Sequence, residues 1–254
     1  DYRSSRGIGD VYKRQGNNIT ALGYFGSDTY NFNYALTSNI DASAEQGDDI
    51  FNINVSPNTG SLTLSGSSGS DTYNFNTDIT SNITANAGQD DDTFNFNSSI
   101  TGSVSINSGD GFDDFNFSSL NNSTGLTLED FETGSDAFEF NSAAFSGSTG
   151  HVLVYGTVNG TEFMPDADSI IEAGGFAFDD TDTAQPDLLS INNDYWYYDV
   201  DDGSLYYDED ADQFMEDAVK IATVTRDGSA LSAQSTIKSS DISYSDETDG
   251  DPII

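Results

Sequence analysis

Cysteine is absent from the 254 residues, which removes disulfides, thiolate metal sites and cysteine nucleophiles together. Positive charge is nearly absent too, with 7 Lys and Arg against 44 Asp and Glu, for a formal net charge of −37. Arg3, Arg6, Lys13 and Arg14 lie at the start and Lys220, Arg226 and Lys238 near the end, leaving none from Gly16 through Val219. Such a surface repels phosphate backbones and anionic headgroups, so no nucleic acid partner is expected, whereas cations are. No apolar run approaches the roughly 18 residues a bilayer span needs, so no membrane insertion is expected. His151 is the only histidine and has no nucleophile motif around it. A carboxylate pair cleaving acidic sugars would need cationic groups that residues 16–219 lack. The segment is therefore expected not to be an enzyme, any catalytic domain lying in a missing upstream part.

What the chain does have is aromatics at a fixed spacing. Five segments align: Gly26-Ser-Asp-Thr-Tyr-Asn-Phe-Asn33, Gly47-Asp-Asp-Ile-Phe-Asn-Ile-Asn54, Gly69-Ser-Asp-Thr-Tyr-Asn-Phe-Asn76, Asp90-Asp-Asp-Thr-Phe-Asn-Phe-Asn97 and Gly111-Phe-Asp-Asp-Phe-Asn-Phe-Ser118. Their first aromatics, Tyr30, Phe51, Tyr73, Phe94 and Phe115, stand 21, 22, 21 and 21 residues apart, and Gly134–Phe140 is a looser sixth copy. A period this constant marks a solenoid. Within each copy the pattern alternates, Tyr73 and Phe75 on one face, Thr72, Asn74 and Asn76 on the other; period two means a strand with one buried face. A second alternating run, Leu62/Leu64, Ile83/Ala85, Val104/Ile106 and Leu126/Leu128, lies between copies. The expectation is an all-β parallel solenoid of five to six coils over residues 16–140. Its Asn columns (31/52/74/95/116 and 33/54/76/97) run up the outside. They either hydrogen-bond to one another or, with the Thr rows, present an array to a surface, a glycan or ice.

One aspartate stands two residues before each repeat aromatic: Asp28, Asp49, Asp71, Asp92, Asp113 and, in the looser copy, Asp136. Stacking sets these carboxylates about 5 Å apart, where each pair repels by about 1 kcal/mol in water and about 3 at an effective dielectric of 20. Asp48, Asp90, Asp91, Asp110 and Asp114 add to that. Calcium, which takes carboxylate and carbonyl oxygens, would reverse its sign; a solvated acidic turn is the other reading of the column.

These turns resemble the nonapeptide Gly-Gly-x-Gly-x-Asp-x-U-x of the repeats-in-toxin (RTX) family, where U is a large apolar residue. Gly66-Ser-Ser-Gly69-Ser-Asp71-Thr-Tyr73 matches apart from Ser67, and Gly109-Asp-Gly111-Phe-Asp113-Asp-Phe115 matches from its second Gly onward. Gly23–Tyr30 and Gly47–Phe51 match in part, and Asp90 replaces a Gly in the fourth copy. The resemblance implies Asp28, Asp49, Asp71, Asp92, Asp113 and Asp136 as calcium ligands, completed by carbonyls at Gly26, Gly47, Gly69 and Gly111, and a right-handed roll. Only one side of each 21-residue coil carries the motif, so a single ion column with incomplete sites is expected.

The remainder of the chain extends the likeness. Leu126–Phe140 resembles the segment closing RTX arrays. Trp196–Asp199, Gly203, Leu205–Asp208, Ala218–Val224, Leu231 and Asp241-Ile242 follow the order of the terminal region of type I secreted RTX proteins. The likeness implies export through the type I secretion machinery by way of the C-terminus, from a Gram-negative bacterium to the outside or the cell surface. Locally, Asp202-Gly203 predicts a hairpin. Asp208-x-Asp210-x-Asp212 fails as an EF-hand, because Gln213 and Val219 occupy the required Gly and Glu positions. Residues 141–190 read as an irregular β-rich connection and 191–254 as a capping and secretion region. Residues 1–15 resemble translated sequencing-adaptor read-through and are left out of the fold.

Overall fold

A computed structural model describes residues 19–35, 37–119, 123–141, 144–145, 151–159, 162–165, 194–199, 201–208, 218–226, 229–230, 237, 241–245 and 252–253. Residues 1–15, Asp210 and Asp212 therefore lie outside the described residues. Among those described there are strands and turns and no α-helix.

The repeat region alternates between two sheets. In the first stand β1 (Ile19–Leu22), β3 (Ile40–Ser43), β5 (Leu62–Ser68), β7 (Ile83–Gln89), β9 (Val104–Asp110) and β11 (Leu126–Leu128). In the second stand β2 (Thr29–Phe32), β4 (Ile50–Ile53), β6 (Thr72–Phe75), β8 (Thr93–Phe96), β10 (Asp114–Phe117) and β12 (Ala137–Asn141). Every step is parallel and one repeat long, so Tyr30 faces Phe51, Phe51 faces Tyr73, Tyr73 faces Phe94, Phe94 faces Phe115 and Phe115 faces Phe138. The chain is a parallel β-solenoid of six coils, as the period predicts.

Alternation dictates what is inside. In β6, Tyr73 and Phe75 are buried while Thr72 and Asn74 stay half-buried on the outer face. The first aromatic column stacks ring on ring, with centroids 4.8 Å apart from Tyr30 to Phe51, Phe51 to Tyr73 and Tyr73 to Phe94, and 5.2 Å from Phe94 to Phe115. These spacings follow from the strand separation of about 4.8 Å, and each stacked pair contributes about 0.5–1.5 kcal/mol beyond its burial. Opposite the rings, Ile40, Leu62, Ile83, Val104 and Leu126 form the buried aliphatic wall.

The stack does not stop at β12. β17 (Val219–Arg226) joins β11 in parallel, Thr223 facing Thr127, and β19 (Ile242–Ser245) joins β12 in parallel, Ile242 facing Phe138. Two distant segments thus supply one further layer on the sixth coil. β15 (Asp194–Asp199) and β16 (Ser204–Asp208) form the hairpin that Asp202-Gly203 predicts, Gly203 taking φ +79°. β13 (His151–Asn159) lies beside β15, and β14 (Glu162–Pro165) pairs antiparallel with β13. The end of the solenoid is sealed with aromatics: Trp196 lies 4.2 Å from Phe140 and 5.0 Å from Tyr207 between ring centroids. β18 (Ser229–Ala230) and β20 (Pro252–Ile253) add short antiparallel edges.

Candidate functional site: the buried aspartate column

The six repeat aspartates share the phase of the aromatics that follow them, so Asp71, Tyr73 and Phe75 all point inward. Asp28, Asp49, Asp71, Asp92, Asp113 and Asp136 are between 0 and 2 % exposed. The column is thus interior, under the turn that joins the two sheets, and a solvated turn does not describe it.

Five of the six carboxylates, all but Asp28, bind the coil before them. Asp49 Oδ1 accepts the Asp28 backbone N–H at 2.5 Å, Asp71 Oδ1 that of Asp49 at 2.8 Å, and Asp92 Oδ1 that of Asp71 at 2.7 Å. Asp113 Oδ1 accepts from Asp92 at 2.9 Å, and Asp136 Oδ1 from Asp113 at 3.2 Å. One oxygen of each of these five therefore stitches adjacent coils together. At the end of the column Asp136 Oδ2 accepts the Glu132 N–H at 2.6 Å. Beside it Asp241 receives the Thr133 hydroxyl at 2.6 Å and the Gly134 N–H at 3.2 Å.

The second oxygens tell a different story. Oδ2 of Asp28, Asp49, Asp71, Asp92 and Asp113 is buried with no hydrogen-bond partner. The Ser108 hydroxyl stands beside the Asp113 carboxylate and lowers its pKa, yet not in hydrogen-bonding geometry. A buried acceptor without a donor costs several kcal/mol if it is charged, so it takes up a proton or a cation. Burial pushes Asp49 up to about 6, Asp71 to about 7, Asp92 to about 8 and Asp136 to about 7. The backbone N–H bonds pull against that rise and the neighbouring carboxylates add to it. Burial raises Asp28 and Asp113 as well.

The turn backbone repeats from coil to coil more closely than its residues do. Gly26, Gly47 and Gly69 take φ of +95°, +129° and +109°, and Asp90 takes +76° in the same column, whereas Gly111 is not left-handed. A Cβ on Gly69 would meet the Gly47 carbonyl oxygen at 2.3 Å, which explains the glycine there. Two residues earlier, Tyr24, Glu45 and Ser67 hold φ of +78°, +77° and +81°, where Gly88 and Gly109 stand in later coils. The carbonyls of Gly26, Gly47 and Gly69 accept no hydrogen bond from the described residues. No three His, Asp or Glu side chains among the described residues come together as a metal cluster. Any cation in the column thus has at most two carboxylates at hand and draws its other oxygens from carbonyls and hydroxyls.

The outer asparagines close on themselves. Asn52 donates to Asn31 at 2.9 Å, Asn74 to Asn52 at 2.8 Å, Asn95 to Asn74 at 2.8 Å and Asn116 to Asn95 at 3.0 Å. The second column runs the same way from Asn97 through Asn76 and Asn54 to Asn33. Both are amide ladders that clamp the coils from outside. Compared with known protein families, curated proteins and solved structures, the chain matches none.

Proposed function

We propose that this chain is a calcium-stabilised module of an exported RTX-like bacterial protein, folded by extracellular calcium after passage through a type I channel. The observation carrying the proposal is the set of five buried, partnerless carboxylate oxygens in register. Left bare and ionised, that column opposes its own burial; a hard cation taking carboxylate and carbonyl oxygens offsets both the repulsion and the lost hydration. The residues fit calcium better than magnesium, because few carboxylates among irregular carbonyls suit its flexible shell and not a rigid octahedron. Calcium binding only the folded chain would add stability in proportion to the logarithm of its concentration. The chain would then stay unfolded where calcium is scarce and fold where it is plentiful. The C-terminal layer of β17 and β19 closes the stack and, in this proposal, carries the export address. The module has no catalytic role of its own.

A metal-independent adhesive solenoid is the alternative, but the Asn columns commit an amide donor and an amide acceptor at every step from coil to coil, as a structural ladder does. Far-UV circular dichroism in EDTA and across a calcium titration to about 10 mM, above weak extracellular affinities, separates the two. Strand signal and a cooperative melt that require calcium support the module; a fold complete in EDTA with an unmoved melting temperature leaves the structural reading.

A further inference from the structure

The turns are of two kinds. Coils 1 and 3 pair Gly23 with Tyr30 and Gly66 with Tyr73, whereas coils 2 and 4 pair Ala44 with Phe51 and Ala87 with Phe94; coil 5 has Ser108 with Phe115. The reason is spatial. A Cβ on Gly23 would lie 2.3 Å from Asp28 Oδ2, 2.8 Å from Tyr30 Oη and 2.9 Å from the Ala44 carbonyl oxygen. On Gly66 it would lie 1.7 Å from Asp71 Oδ2 and 2.8 Å from Tyr73 Oη. Glycine clears a space into which oxygens converge. In coils 2 and 4 a methyl group takes that position and the ring carries no hydroxyl.

The phenol protons are already committed. Tyr30 donates its hydroxyl to the Ser43 carbonyl at 2.8 Å, and Tyr73 to that of Asn86 at 3.4 Å. Each Oη thus sits in the same small space as an Oδ2 that has no hydrogen-bond partner. Acceptors facing acceptors in a buried space repel unless something positive sits among them. Each phenol places its proton on a carbonyl and offers its oxygen as a neutral ligand. Spacing points the same way: ions on successive coils would lie about 4.8 Å apart, and doubling that distance halves their repulsion.

We infer that calcium enters the column only at the two glycine–tyrosine stations, Gly23/Asp28/Tyr30 and Gly66/Asp71/Tyr73, and passes over the coils between and beyond them, none of which has the glycine–tyrosine pair. The inference rests on the calcium reading above and narrows it. The test is the number of ions bound by the full chain, from equilibrium dialysis against calcium with excess magnesium to clear the acidic surface. The parent chain should bind two. Asp92→Asn, in an alanine–phenylalanine coil, should still bind two. The double change Gly66→Ala/Tyr73→Phe should leave one, and Ala87→Gly/Phe94→Tyr should create a third station. Circular dichroism confirms the fold of each variant; should the double change at coil 3 not fold, Asp92→Asn and the grafted station decide. A count of five or six, or an ion lost in Asp92→Asn, overturns the alternation while leaving calcium binding intact. No bound ion in the parent chain overturns the calcium reading itself.

Discussion

Replacing Asp92 by asparagine isolates what a bare carboxylate costs this fold. The amide retains an oxygen to accept the Asp71 N–H, now bound at 2.7 Å, and the backbone N–H of the substituted residue can still reach Asp113 Oδ1 at 2.9 Å. What changes is the orphaned Oδ2, which becomes an uncharged donor. The folded-state pKa of Asp92 rises from 3.8 to about 8. Below about pH 4 both states hold the proton and the carboxyl costs nothing. As pH climbs toward 8 the unfolded chain sheds the proton while the folded chain retains it, so stability falls with rising pH. At about 1.4 kcal/mol for each pH unit, the ceiling at about pH 7.5 is on the order of 5 kcal/mol. Relaxation of a coupled column brings that to about 2–3 kcal/mol. With both chains saturated with calcium, Asp92→Asn should therefore melt roughly 5–10 °C above the parent at about pH 7.5, given about 2–4 °C per kcal/mol for a chain this long. At about pH 4 the two should melt together. A variant less stable than the parent at neutral pH, or an offset equal at both pH values, would refute the reasoning.

Other changes probe the remaining parts. Ser67→Gly relieves a left-handed φ of +81° and should stabilise by about 0.5–1 kcal/mol, read as a small rise in melting temperature. Asn74→Ala breaks an amide ladder at both of its bonds, to Asn52 and from Asn95, each 2.8 Å; a loss of about 1–2 kcal/mol in urea unfolding is expected. Asp241→Ala frees Thr133 and Gly134 and should cost about 1–3 kcal/mol, seen as faster proteolysis of the C-terminal layer with the repeat coils still protected.

Much of this was legible in the sequence. The 21-residue period and the alternation of Tyr73/Phe75 with Thr72/Asn74 name the sheets, the register and the buried rings. The burial of the aspartates was legible in principle, because Asp71 stands at the same parity as Tyr73. Acidic turns are ordinarily solvated, and that expectation hid it. Pairing of Asp oxygens with the preceding coil's N–H groups was not legible, since it depends on how far the turn folds inward. Nor was the extra layer, whose strands at 219–226 and 242–245 meet β11 and β12 across about a hundred residues of chain. No local pattern encodes that distance. The left-handed Tyr24, Glu45 and Ser67 show why the motif looked degenerate: the backbone keeps a shape that these side chains only tolerate.

Crystals grown with calcium and measured at a wavelength where calcium scatters anomalously test the central claim directly. The account predicts a calcium peak about 2.3–2.6 Å from Oδ2 of Asp71, with another at Asp28. Strong diffraction from a folded chain with no calcium peak anywhere along the aspartate column would contradict it.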